Sequence, residues 1–116
     1  MSKRTFAIIK PDAVRNGNTG KIYDRILSAG FSILGAKLIK MSISQAHAFY
    51  EIHKGKPFYN ELTEFMSSGK SMVMALEKDS AVTAWRQTIG ATNPEEAEKG
   101  TIRHDYATSI SENAVH

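Results

Sequence analysis

Thr5-Phe6-Ala7-Ile8-Ile9, followed at once by Lys10-Pro11-Asp12, is the stretch on which the fold turns. The five-residue run is short, apolar and uninterrupted, as a buried strand is. Lys10-Pro11-Asp12 stops it, because proline has no N–H to give a ladder and restricts the residue before it. Two further runs read the same way: Phe31 to Met41, with Ile33, Leu34, Leu38 and Ile39 as its apolar content, and Met72-Val73-Met74-Ala75-Leu76. Between them the period changes. After the turn-rich Asn16-Gly17-Asn18-Thr19-Gly20, apolar residues recur at Ile22, Tyr23, Ile26 and Leu27, which is helical spacing, and Gly30 sits where a helix takes its C-terminal glycine. Ser44 is the expected N-cap of a helix carrying Phe49 and Tyr50 and ended by Pro57. Leu62, Phe65 and Met66 mark a short helix closed by Gly69. Ser80 is expected to cap a last one bearing Val82, Trp85 and Ile89 and ending at Gly90.

The order β-α-β-αα-β-α predicts an α+β domain, a sheet with helices packed on one side. Such a sheet calls for another strand after the last helix, and none is legible. From Gly90 to His116 the chain is polar and aperiodic, apart from a turn of helix expected at Pro94-Glu95-Glu96, capped by Asn93. Compact domains seldom carry so long an irregular segment without a use for it.

At 116 residues the chain is expected to form one domain, residues 1–116, large enough for a single core. Hydrophobic residues make up 41% and charged residues 23%, ordinary values for a globular protein. No apolar run approaches the ~20 residues that span a bilayer. Met1-Ser2-Lys3-Arg4-Thr5 leads directly into a strand-like run without a signal-peptide core, so the cytoplasm is the expected compartment. There is no cysteine, which excludes disulfides and thiolate metal sites. The net charge of +3 is spread along the chain with no basic run longer than Lys3-Arg4, so it does not by itself mark a nucleic-acid surface.

Gly17-Asn18-Thr19-Gly20-Lys21 has two residues between its glycines where a phosphate loop needs four, and Ile22 stands where that loop has Ser or Thr; it reads as a helix start. The histidines, His47, His53, His104 and His116, fit no zinc spacing. A histidine nucleophile stays open, since neutral imidazole is available near pH 7 and can form a covalent intermediate. Arg86, Thr92, Arg103, Asn113 and His116 all lie near or beyond the end of the last helix. Guanidinium groups, a hydroxyl, an amide and an imidazole are what a phosphoryl-transfer site uses. Taken singly, each would be an ordinary surface or core residue.

Asn113-Ala114-Val115-His116 resembles the start of the nucleoside diphosphate kinase signature, N-x-x-H-G-S-D. Other stretches resemble the same family: Thr5 to Asp12, Lys56-Pro57-Phe58-Tyr59, Phe65-Met66-Ser67-Ser68-Gly69, Gly90-Ala91-Thr92-Asn93-Pro94 and Gly100-Thr101-Ile102-Arg103. The resemblance covers essentially the whole chain in order. It implies a ferredoxin-like β-α-β-β-α-β fold and transfer of the γ-phosphate of a nucleoside triphosphate to a nucleoside diphosphate, by ping-pong through a phosphohistidine on His116. It implies further that Arg86, Thr92 and Arg103 bind phosphates together with a magnesium ion (Mg2+) held mainly by the nucleotide. Lys10 and Asn113 would bond the ribose hydroxyls and transferring phosphate, and Tyr50 would stand beside the histidine. Phe58 would stack on the base, with Ile110 on its other face; stacking suits any base, since each has a π-face. A homotetramer or homohexamer built from dimers is the implied assembly, with no specific nucleic acid or membrane as partner.

The sequence ends at His116, before the Gly-Ser-Asp of the signature. The resemblance implies a longer parent, with roughly 30 more residues on a usual domain of ~150, carrying the fourth strand and a serine and glutamate near the histidine. The 116-residue form is therefore expected to turn over poorly or not at all and to leave one sheet edge unpaired. The alternatives are a nucleotide-binding fragment or regulatory module of this fold that forms no phosphohistidine, and a nucleic-acid-binding sheet. Against the last, no RNP-type aromatic string occurs in the first or third strand.

Overall fold

The structure, a computed structural model, describes residues 2–116. Its three strands are β1 (Arg4–Ile9), β2 (Ser32–Lys40) and β3 (Lys70–Glu77), each within two residues of the expected run. They form one antiparallel sheet in the order β1-β3-β2, with β1 paired to β3 from Arg4↔Glu77 to Ile9↔Met72. A bulge between Ile33 and Gly35 shifts the register of β2.

Alternation along β1 sends Ala7 and Ile9 to one face and Ile8 to the other. Ala7, Ile9, Met74 and Leu76 join Ile22 and Ile26 of α2 (Thr19–Ser28) and Trp85 and Ile89 of α5 (Ala81–Ile89) in the main core. Phe31 meets Trp85 edge to face at 5.9 Å there. Ile8, on the opposite face, packs with Met41, Ala46, Tyr50 and Met66, supplied largely by α3 (Ile43–Phe49) and α4 (Tyr59–Ser67). Helices on one side therefore describes α2 and α5, while α3 and α4 add cover on the other. The reason is visible in β1, where Ala7, Ile8 and Ile9 are all fully buried, so both faces of the strand need a partner.

The helix starts refine the expectations. α3 begins at Ser42 rather than Ser44, because Gln45 completes a capping box: Gln45 N–H donates to Ser42 Oγ (3.1 Å) and Ser42 N–H to Gln45 Oε1 (2.9 Å). Tyr50 closes α3, and a 3-10 turn over Glu51–His53 follows. Ser80 starts α5 by position alone, at φ 52° with no side-chain cap. Asn93 caps the 3-10 turn Pro94–Glu96 as expected, accepting from Glu95 N–H. The helices α1 (Pro11–Arg15) and α6 (Ile102–Tyr106), five residues each, are too short to show a period in sequence.

The end of the chain lies along the outer edge of β1. Val115 bridges Ile9 antiparallel, Ile8 N–H donates to His116 O (3.1 Å), His116 N–H to Ile8 O (2.8 Å), and Lys10 N–H to Ala114 O (2.8 Å). The expected bare edge is thus paired at Ile8 and Lys10, and begins at Phe6. Among the described residues no helix is long and apolar enough to cross a membrane.

Candidate active site

Three elements converge at the C-terminal end of β1. The first is the strand end itself. Lys10 is buried, and its ammonium donates to Asn113 Oδ1 (2.9 Å) and Ser111 O (3.3 Å). Burial pushes its pKa down to about 8, against the pull of the Asp12 carboxylate and with a further push from Arg103.

The second is the segment after α5. Gly90, at φ +87°, ends the helix; a Cβ there would lie 2.6 Å from Thr101 Oγ1, so no larger residue fits. Arg103, on α6, donates through Nη1 to Gly90 O (3.1 Å) and through Nη2 to Val115 O (3.0 Å). One guanidinium thereby ties the end of α5 to the last strand-like residues. Burial lowers its pKa. Asn113 completes the lattice by donating to Thr92 O (3.3 Å).

The third is α3 and the turn behind it. The Tyr50 ring stands 6.0 Å from the His116 ring at 85°, and Phe49 flanks the same imidazole at 5.6 Å. Burial pushes the Tyr50 phenol up to about 12, so it keeps its proton near neutrality. The His116 main-chain oxygen is fixed by Trp85 Nε1–H (3.1 Å) as well as by Ile8. Its imidazole pKa is lowered, first by burial and then by the positive charges of Lys10 and Arg103. The ring is therefore neutral at pH 7, with a lone pair to offer.

These groups line one cleft of about 890 Å³. His116, Lys10, Tyr50 and Asn113 are in it, and so are Phe58, Thr92, Arg103 and Ile110. Phe58 and Ile110 are exposed (46% and 58%), and Thr92 and His116 also reach solvent, while Lys10, Tyr50, Arg103 and Asn113 are buried. Arg86 is the exception among the expected residues: it is exposed on α5 and lines a neighbouring shallow depression with Gly90 and Thr101. His53 was given no role by sequence. It also lines the cleft, its ring 5.3 Å from Phe58 and 6.4 Å from Tyr50, with Nδ1 buried and unpartnered. Its place three residues after Tyr50, one helical turn on, was the available signal.

Residues 3–116 match the family model described as nucleoside diphosphate kinase. The chain belongs to the nucleoside diphosphate kinase family. It is 54% identical over 114 residues to a nucleoside diphosphate kinase of Geotalea uraniireducens, covering 98% of this chain and 83% of that one. It is 53% identical over 115 residues to one from Flavobacterium psychrophilum, covering 99% and 83%. Among solved structures, the Aquifex aeolicus nucleoside diphosphate kinase superposes with a TM-score of 0.95 at 41% identity, covering 98% of this chain and 83% of that one. The Halobacterium salinarum enzyme, solved in complex with CDP, also gives 0.95, at 36% identity, covering 100% and 76%. Membership makes the chain a nucleoside diphosphate kinase-type phosphotransferase and confirms the α+β fold. It also disfavours a non-catalytic module, since relatives matched over nearly the whole chain carry the kinase name.

Proposed function

We propose that the cleft moves the γ-phosphate of a nucleoside triphosphate in two halves, with His116 as the carrier. The observation that supports this best is a neutral imidazole beside two buried cationic groups, Lys10 and Arg103, in a cleft with exposed apolar side chains at its rim. A ring nitrogen of His116 attacks the γ-phosphorus, the bond to the bridging oxygen breaks, and a nucleoside diphosphate leaves. A second diphosphate then takes the phosphoryl group by the reverse step. One diphosphate subsite serves both halves.

The roles divide by chemistry. Arg103 and Thr92 are set to balance phosphate charge, and Arg86, in the neighbouring depression, would have to swing toward the cleft to join them. Lys10 and Asn113, already bonded to one another, present donors to the ribose and the transferring group. Tyr50 steadies the imidazole and keeps an O–H for the phosphoryl oxygens. Phe58 and Ile110 sandwich the base. Magnesium fits here only as an ion brought by the nucleotide: the lining carboxylates are Glu61 and Glu112, and Glu112 is paired with Arg15 at 3.0 Å. Mg2+ asks for six oxygens, which phosphates and water supply; when bound it would draw charge from the phosphates.

Residues 1–116 act as one domain in this scheme, in the cytoplasm, where the free nucleotides are. Assembly as a homotetramer or homohexamer of dimers belongs to the same proposal, in keeping with the exposed Leu34 and Leu38 (49% and 48%) on the outer strand β2. Light scattering checks it. The chemistry is tested by single turnover, which reads the first half even where turnover is slow. Mg-ATP is expected to add one acid-labile phosphoryl group, removed by CDP with formation of CTP. ADP binding without any such label would favour the nucleotide-binding module instead.

A further inference from the structure

The residue two before His116 is bent in a way few side chains tolerate. Ala114 has φ +71°, and Val115 N–H donates to Asn113 O at 2.8 Å. Together these make a three-residue γ-turn of the strained, positive-φ kind, here centred on a residue with a Cβ. Such strain persists only where neighbours over-determine it. Both peptide groups of Ala114 are held by the start of α1: its carbonyl accepts Lys10 N–H (2.8 Å), and its N–H donates to Asp12 Oδ2 (3.0 Å).

Asp12 is itself unusual. It is 2% exposed, its Oδ1 has no partner, and burial raises its pKa against the pull of Lys10. An acid in the first turn is the ordinary companion of a helix dipole. That would explain an exposed aspartate. It does not explain one driven inward to a backbone N–H 102 residues away, next to a positive-φ turn centred on a non-glycine residue beside the cleft. The turn fixes how Val115 and His116 enter the pairing with β1. A relaxed Ala114 would rotate that pairing and the imidazole with it.

We infer that Asp12 is a positioning residue: its carboxylate holds the Ala114 γ-turn and so aims the His116 ring for attack. This rests on His116 being the phosphoryl carrier. It touches neither nucleotide nor phosphate in this role, so its signature is a slow phosphoryl step with nucleotide binding kept.

Single-turnover labelling by Mg-ATP and ADP affinity are measured side by side in four proteins: unmutated, Asp12→Ala, Asp12→Asn and Asp12→Ala/Ala114→Gly. Asp12→Ala is expected to slow labelling roughly 10- to 100-fold, as misplacement by about an ångström does, with ADP affinity within about threefold. Adding Ala114→Gly is expected to recover most of the loss, because glycine takes positive φ without strain. No charge-based or purely global role predicts that rescue. Asp12→Asn keeps an acceptor for the Ala114 N–H and is expected to label within about threefold of the unmutated protein. It decides the matter should Asp12→Ala fail to fold. Unchanged labelling in Asp12→Ala, no rescue by glycine, or a full loss in Asp12→Asn would overturn the inference. Absence of label in the unmutated protein would instead bring down the carrier reading, and this inference with it.

Discussion

The sheet with its helices and the segment from Gly90 to His116 are built on opposite principles. In the first, position is set by apolar burial: Ile8, Ile9, Ile22, Ile26 and Leu76 are fully enclosed, and regular ladders satisfy the backbone. In the second, a run with little regular structure is held by side chains gripping main-chain groups. Arg103 binds the carbonyls of Gly90 and Val115, Trp85 that of His116, Asn113 that of Thr92, and Asp12 the N–H of Ala114. The scaffold sets stability; the segment sets where the imidazole points. Mutations in the two should therefore move different observables.

The largest effect on chemistry is expected from His116→Ala, which should abolish labelling while leaving the thermal midpoint nearly unchanged. Arg103→Ala comes next. It removes a phosphate donor and leaves two carbonyls unpaired, and a loss of about a hundredfold in the phosphoryl step is expected, as for other donors lost from a charged transition state; stopped-flow tryptophan fluorescence reads it. Phe58→Ala should act on affinity alone, raising KM roughly tenfold, near the lower part of the ~1–3 kcal/mol that base stacking contributes. pH has a gentler action. Only neutral His116 attacks and its pKa lies below 6.5, so the labelling rate should stay flat near neutrality and fall as pH drops through that lowered value. On the alkaline side Lys10 loses its charge near pH 8, and KM should rise there. Ile26→Ala has the smallest effect on rate. Cavity creation should cost about 2–5 kcal/mol in denaturant unfolding, with labelling per folded molecule unchanged.

The same contrast explains what could be read from sequence. Strands and long helices announce themselves because burial imposes a period, as at Thr5 to Ile9 and at Ile22 to Leu27. The cover on both faces of β1 is written in the unbroken Ala7-Ile8-Ile9, though nothing in that run says which helices supply it. α1, α6 and the bridge at Val115 are too short to have a period at all. In the site, eight expected residues meet in one cleft because family motifs name residues whatever their structure. Arg86 stands outside that cleft, and His53 stands in it unannounced. Asp12 was legible only as part of a turn: its bond to Ala114 spans the chain, and no local pattern records a contact of that range.

His53 gives the central claim its sharpest test, since the cleft offers two histidines to a phosphoryl group. After a single turnover with Mg-ATP, the labelled protein is digested at mildly alkaline pH and the phosphopeptide sequenced by mass spectrometry. A phosphoryl group on the peptide carrying His116, discharged by CDP, is the predicted result. Label on His53, or on His116 but inert to CDP, would contradict the account.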